Sequence, residues 1–242
     1  MATGRSKTIM AKKTARKKAT SNSNLLRFSA QFILIFVSVT LALLFDEWRS
    51  RQRDQQLEAF YLEQMEQDLQ QAIRELESDL HGYQDIRAAQ RRLADYVLHS
   101  APAPDDTLLQ LIPLFFREIY PEAHNLAFEA LRNTGKLDIL KNKAILKNLL
   151  YINQEALPRL RISIDGYLRI KREQLTPFFL NNWPGYQGGP ALHRFLQHNL
   201  MRNFLQFSFF EEITRRYEKL LATHRNLLHL VEEERQLSGP EK

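Results

Sequence analysis

The side chains best suited to metal or acid–base chemistry are seven histidines and many carboxylates, and their spacing limits what they can do. A di-iron or di-manganese bundle sets Glu three residues before each ligating His, so that both reach inward from one helix. No histidine in this chain has that neighbour. A helical zinc pair sets two His four apart, whereas His193 and His198, like His224 and His229, are five apart and point to different faces. The absence of cysteine removes thiolate metal sites, disulfides and Cys nucleophiles together. Gly4, Lys7 and Thr8 echo a phosphate-binding loop, but the Gly before the Lys and the preceding strand are missing. There is no Gly-x-Ser-x-Gly elbow and no Gly-rich dinucleotide loop. Glu63, Glu66, Glu232, Glu233 and Glu234 sit among other charges and are most simply solvated helix faces. The expectation is a chain that is not an enzyme, with no catalytic residue, metal site or cofactor.

Two polar residues interrupt apolar stripes and become the candidate polar core contacts. Asn153 breaks the rhythm of Leu146, Leu150, Leu157, Leu160, Ile164 and Leu168. His224 falls on the stripe Leu192, Leu196, Leu200, Phe204, Phe207, Phe210, Ile213, Tyr217, Leu220, Leu227 and Val231, and is expected to be a hydrogen-bonded core histidine rather than a ligand.

The elements that must carry these residues are helical. Eight Gly and nine Pro are few for 242 residues, which favours long helices and excludes an all-β fold. Leu57, Tyr61, Met65, Leu69, Ile73, Leu76, Leu80, Tyr83, Ile86, Leu93 and Val97 mark one face of a helix that reaches His99, with Gly82 its softest point. Asp105 or Asp106 caps a short apolar helix from Leu108 to Tyr120, kinked at Pro113. A second short helix closes at Gly135 in a left-handed C-cap. Long helices follow over about 142–180, kinked at Pro158, and about 190–237. The predicted fold is all-α: one N-terminal transmembrane helix continuing into an elongated antiparallel bundle of three long and two short helices.

Residues 28–45, FSAQFILIFVSVTLALLF, contain no charge, and Leu25 and Leu26 lengthen the run if Arg27 snorkels to the interface. The domains predicted are a disordered basic cytoplasmic tail (1–24), a transmembrane helix (25–45) and an extracytoplasmic helical domain (46–242). No cleavage site follows the apolar run, so the span is an uncleaved signal anchor. Arg5, Lys7, Lys12, Lys13, Arg16, Lys17, Lys18 and Arg27 precede it without one acid, which keeps the N-terminus in the cytoplasm. The location expected is the inner (cytoplasmic) membrane, single-pass, with the domain periplasmic if the source is a Gram-negative bacterium. Removing those eight charges from the formal +6 leaves −2, so nucleic acid is not an expected partner of the domain. Trp48 is expected at the far membrane interface. With three long helices, the last running outward, the loop from Asn181 to Gly189 turns toward the bilayer, making Trp183 and Tyr186 further candidate interface residues.

The segments ALLFDEWRSRQ and AFEALRNTGKLDILKN resemble an uncharacterised bacterial family of single-pass membrane proteins, whose apolar N-terminal helix ends in Ala-Leu and reaches a Trp five residues later. Here those positions are Ala42, Leu43 and Trp48, and the family's Leu-x-x-x-Gly-Lys-Leu block is similar to Leu131, Gly135, Lys136 and Leu137. The chain departs from the family at Ser38, where a Gly is common in the span, and at Asp46 and Glu47, where an Asn pair is common. The likeness covers the first third and the middle and leaves Trp183 onward unmatched. It implies the topology and the helical fold and supplies no catalytic residue.

The function expected is a membrane-anchored extracytoplasmic interaction or scaffold module, joined to lipid through one span and to a protein partner or to itself by coiled-coil contact of its stripes. Two other readings stand beside it: a ligand-sensing bundle that signals through a lateral membrane partner, and an enzyme at the membrane surface.

Overall fold

The structure, a computed structural model, describes residues 6–122, 125–186, 188–207 and 210–238, with side chains described from Gln31 to Leu237 within those ranges. Among the described residues every regular element is helical and no strand occurs. The chain divides into two units, Met1–Gln56 and Leu57–Lys242.

Helix α1 runs from Ser6 to His99. Its backbone is helical from Ser6 onward. Once an apolar segment has nucleated a helix, each added residue meets only the propagation step, and the Ala, Lys, Arg and Met of the tail favour it. In the first unit every described side chain from Gln31 to Arg49 is exposed, including Phe32, Phe36 and Leu43. The two hydroxyls of this stretch are satisfied within the helix, Ser38 Oγ donating to the Leu34 carbonyl at 2.7 Å and Thr40 Oγ1 to that of Phe36 at 2.8 Å. Neither hydroxyl therefore needs a partner outside the helix, as an apolar surrounding requires. This is the one helix among the described residues long and apolar enough to cross a membrane.

In the second unit α1 buries Leu62, Met65, Leu69, Ala72, Leu76, Tyr83, Ile86, Leu93 and Val97, one face at helical period. The chain then returns along it through α2 (Asp105–Phe116), α3 (Leu126–Asn133) and a 3-10 turn (Leu137–Ile139). The contacts step backward along α1: Tyr83 Oη donates to the Ile119 carbonyl at 2.8 Å, Asp68 accepts from the Ala127 amide at 2.8 Å, and Glu58 accepts from the Lys141 amide at 2.9 Å. A Cβ on Gly82 would overlap the end of the Ile119 side chain. The third pass runs in the direction of α1 through α4 (Lys143–Tyr151), α5 (Leu157–Ile170) and α6 (Thr176–Asn182), as Asn153 meets Asn125 and Lys171 meets Arg117. The fourth comes back through α7 (Pro190–Leu196), α8 (Asn199–Gln206) and α9 (Phe210–Ser238), as Gln90 meets Leu205, Tyr217 meets Asp79 and Arg225 meets Glu77.

The second unit therefore has four passes of alternating direction where three long helices were expected. Pro113, Pro121 and Gly135 cut the periodicity of residues 105–142 into pieces too short to show a full-length pass, so the sequence pattern shows only a short pair there. Its closing signal holds: Gly135 has φ +69°, its amide donates to the Arg132 carbonyl at 3.1 Å, and the Lys136 amide donates to that of Leu131 at 3.0 Å.

The fourth pass is also broken where one helix was expected. His198 caps α8, its Nδ1 accepting from the Leu200 amide at 3.2 Å, and buried Gln90 donates to the carbonyls of Leu205 and Phe207 at the second break. In the third pass the kink expected at Pro158 appears as a π turn, Ile152–Ala156, and a second π turn, Lys171–Leu175, stands in the same relation to Pro177. A proline crowds the carbonyl four residues before it and cannot donate to it. Those carbonyls belong to Gln154 and Glu173, the central residues of the two turns, where the wider coil draws them clear.

Candidate functional site

The first π turn carries Asn153, and with it one of the two polar residues that break the apolar stripes. Asn153 Oδ1 accepts a hydrogen bond from Asn125 Nδ2 in the segment before α3, and its own Nδ2 donates to the Leu149 carbonyl at 2.9 Å. Facing it from α9 is His224, which is buried. A carbonyl can only accept, so the 2.9 Å contact between His224 Nδ1 and Leu220 O places the proton on Nδ1 and leaves Nε2 as the acceptor of the neutral ring. Burial holds this imidazole below its ordinary pKa, with the Leu220 carbonyl acting weakly against it.

Sequence reasoning thus finds two residues 71 positions apart that line the same space. Two cavities share Asn125, Ile152, Asn153 and His224, one closed by Glu122, Ala72 and Leu76, the other by Asp68, Met65 and Phe128. Each encloses about 20 Å³, room for a single water. A drug-sized ligand needs roughly 300 Å³ or more. The arrangement can therefore order a water between amide, imidazole and carboxylate, and cannot enclose a metabolite without opening.

Midway along the unit, Tyr83, Tyr167 and Tyr217 pack with Phe210, and Tyr217 Oη donates to Asp79 Oδ2 at 3.3 Å. Desolvation raises Asp79 from 3.8 to about 6, against the lowering effect of that hydrogen bond, and burial raises all three phenols above their ordinary value. Lys171, in the second π turn, is 1% exposed. Its Nζ donates to the Arg117 carbonyl at 2.8 Å and stands over the rings of Tyr167 and Phe116. Burial lowers this amine from 10.5 to about 8, with Glu118 opposing the shift. Lys171 went unremarked in the sequence, although it occupies the position between Leu168 and Leu175 where the stripe calls for an apolar residue.

A third cluster gathers where α1 ends. Tyr96 is hydrogen-bonded to His193 Nδ1, and His193 Nε2 lies 3.0 Å from Asp105 Oδ1. Asp105 Oδ2 accepts from the Gly189 amide, and a Cβ on Gly188 would overlap this carboxylate. Asp105 or Asp106 was expected to cap α2. Neither does so: the capping position is Pro104, and Asp105 turns instead to Gly189 and His193. No local spacing signals the cluster, since its members come from α1, α2 and α7.

These contacts also fix the loop from Asn181 to Gly189. Trp183 stacks on Phe179 with centroids 4.9 Å apart and meets Phe195 edge-on at 5.5 Å, while Tyr186 is 77% exposed. The loop sits by Tyr96 and Asp105, at the opposite end of the second unit from Glu58, Lys141 and Glu234. The pass leading into it runs in the same direction as α1 does within this unit, where the opposite direction was expected. Trp48 is exposed in the first unit, its ring 5.7 Å from that of Phe45, and the Arg27 side chain lies outside the described residues.

Among the described residues no three His, Cys, Asp or Glu side chains stand close enough to hold a metal ion. No protein-family model matches the chain, and no curated protein or solved structure matches it.

Proposed function

We propose that this chain is a membrane-anchored helical interaction or scaffold module, held in the bilayer by residues 25–45 and presenting its second unit outside the cytoplasm. The observation that carries the reading is where space is available. The cavities around Asn153 and His224 are water-sized, whereas a depression of about 520 Å³ lies open on the outer side of α5 between Ile162, Asp165, Gly166, Arg169 and Glu173. Ile162 is 71% exposed there, and a Cβ on Gly166 would meet nothing within 4 Å. A large apolar side chain beside a small residue, with charges of both signs around them, suits the approach of another helix.

The orientation rests on the eight Lys and Arg that precede the span. Protease added to spheroplasts should degrade the second unit, and complete protection would refute the topology. A photo-crosslinker at Ile162 in the full chain, read by mass spectrometry from intact cells, should join a reproducible second protein or a second copy. Its failure there, with no crosslink from other outer positions of α5, would overturn the scaffold reading. The ligand-sensing alternative draws support from the convergence of Asn125, Asn153 and His224, but it requires a cavity many times the volume these residues enclose.

A further inference from the structure

The Tyr96, His193 and Asp105 cluster does more than hold a loop. We propose that Tyr96 is an acyl acceptor, its hydroxyl activated by His193 as general base and the imidazole oriented by Asp105. A nucleophile bonded to a base, with the base bonded to a carboxylate, is the arrangement that activates hydroxyl groups in covalent catalysis. Here Tyr96 bonds Nδ1, leaving Nε2 to face Asp105 at 3.0 Å. The carboxylate is held in turn by the Gly189 amide through its other oxygen. His193 and Asp105 keep 39% and 34% of their side-chain surfaces exposed, so a reagent can reach the centre. Burial, and then the Asp105 charge, raise the Tyr96 phenol above its ordinary pKa, so at neutral pH the oxygen keeps its proton and the step depends on the base.

In that step Tyr96 Oη forms a bond to the acyl carbon. The bond from that carbon to the leaving oxygen breaks, and the leaving group departs with the electron pair. The phenol proton passes to His193 Nδ1, and the resulting imidazolium donates through Nε2 to Asp105. The arrangement supplies one base, so the leaving group must depart unassisted, which selects activated donors such as aryl esters or acyl phosphates.

The test treats the full-length protein in nanodiscs with p-nitrophenyl acetate and locates acetyl groups by peptide mass spectrometry. Tyr96 should be acetylated at least about tenfold faster than the more exposed Tyr186, a modest part of what a positioned base supplies. His193→Gln should remove that advantage, and Asp105→Asn should reduce it. Should a substitution disturb the loop, Tyr186 in that same loop reports it: a disturbed fold changes the labelling of Tyr186 as well, whereas loss of the base slows Tyr96 alone. Labelling of wild-type Tyr96 no faster than Tyr186, or an advantage that survives in His193→Gln, would overturn the proposal.

Discussion

Replacing Lys171 by Met should change stability in opposite directions at neutral and at alkaline pH. The amine is almost wholly buried, and its fall from 10.5 to about 8 means that keeping it charged in the fold at pH 7 costs about 3 kcal/mol. Met has a similar length without the charge and removes that cost. It also leaves the Arg117 carbonyl without its 2.8 Å donor, a loss of about 1–3 kcal/mol that does not depend on pH. At pH 7 Lys171→Met should therefore match or exceed the wild type, by up to about 2 kcal/mol. Above about pH 10.5 the lysine is neutral in both states, its penalty has vanished, and the variant should be the less stable by about 1–3 kcal/mol. The sign follows from proton binding: between about 8 and 10.5 the unfolded chain holds the proton more tightly, so wild-type stability rises with pH across that window. Denaturant midpoints of both proteins at pH 7 and at about pH 11.5 give the double difference, in which other titrating groups cancel. A difference of the same sign and size at both pH values would refute the account of a charged amine held against desolvation.

Other perturbations probe the remaining clusters. His224 is held below 6.5 in the fold, so wild-type stability should fall as pH drops through 6.5, and His224→Gln should flatten thermal melts recorded between pH 7 and pH 5. Asp79 is raised to about 6, so the fold gains stability as pH falls from 6 toward 4. Asp79→Asn, which can still accept from Tyr217, should stabilise by about 1 kcal/mol at pH 7 after solvent screening, with no effect near pH 4. Gly135→Ala meets no neighbouring atom, so a loss of about 1–2 kcal/mol in a denaturant titration would be the left-handed backbone alone.

Much of this architecture is legible in the residues themselves, and the parts that are not share one cause. The span shows as an uncharged apolar run, and the end of α3 shows in the single glycine that permits a positive φ. Asn153 and His224 stand out because each breaks a rhythm, and a polar residue in an apolar stripe must find a partner inside. Lys171 could have been found by the same reasoning. What hides is whatever depends on partners far along the chain: Tyr96 and His193 are 97 positions apart, and neither breaks a local pattern. The direction of the passes hides for the same reason. Glu58 fixes the second pass through the Lys141 amide, 83 residues away, and once that pass is missed, both later ones are assigned backward.

The two π turns bear on how this sequence can change over generations. Each accommodates one residue more than a continuous α-helix, so the side chains on either side keep the faces they would have if that residue were absent. Losing exposed Gln154 or Glu173 would leave the flanking stripes in phase, whereas losing one residue elsewhere in α4 or α5 rotates everything beyond it by about 100°. Length variation in the third pass is thereby channelled to two places, and one of them borders the cavities at Asn153. A related chain lacking Gln154 would keep the core and change only the backbone that carries Asn153.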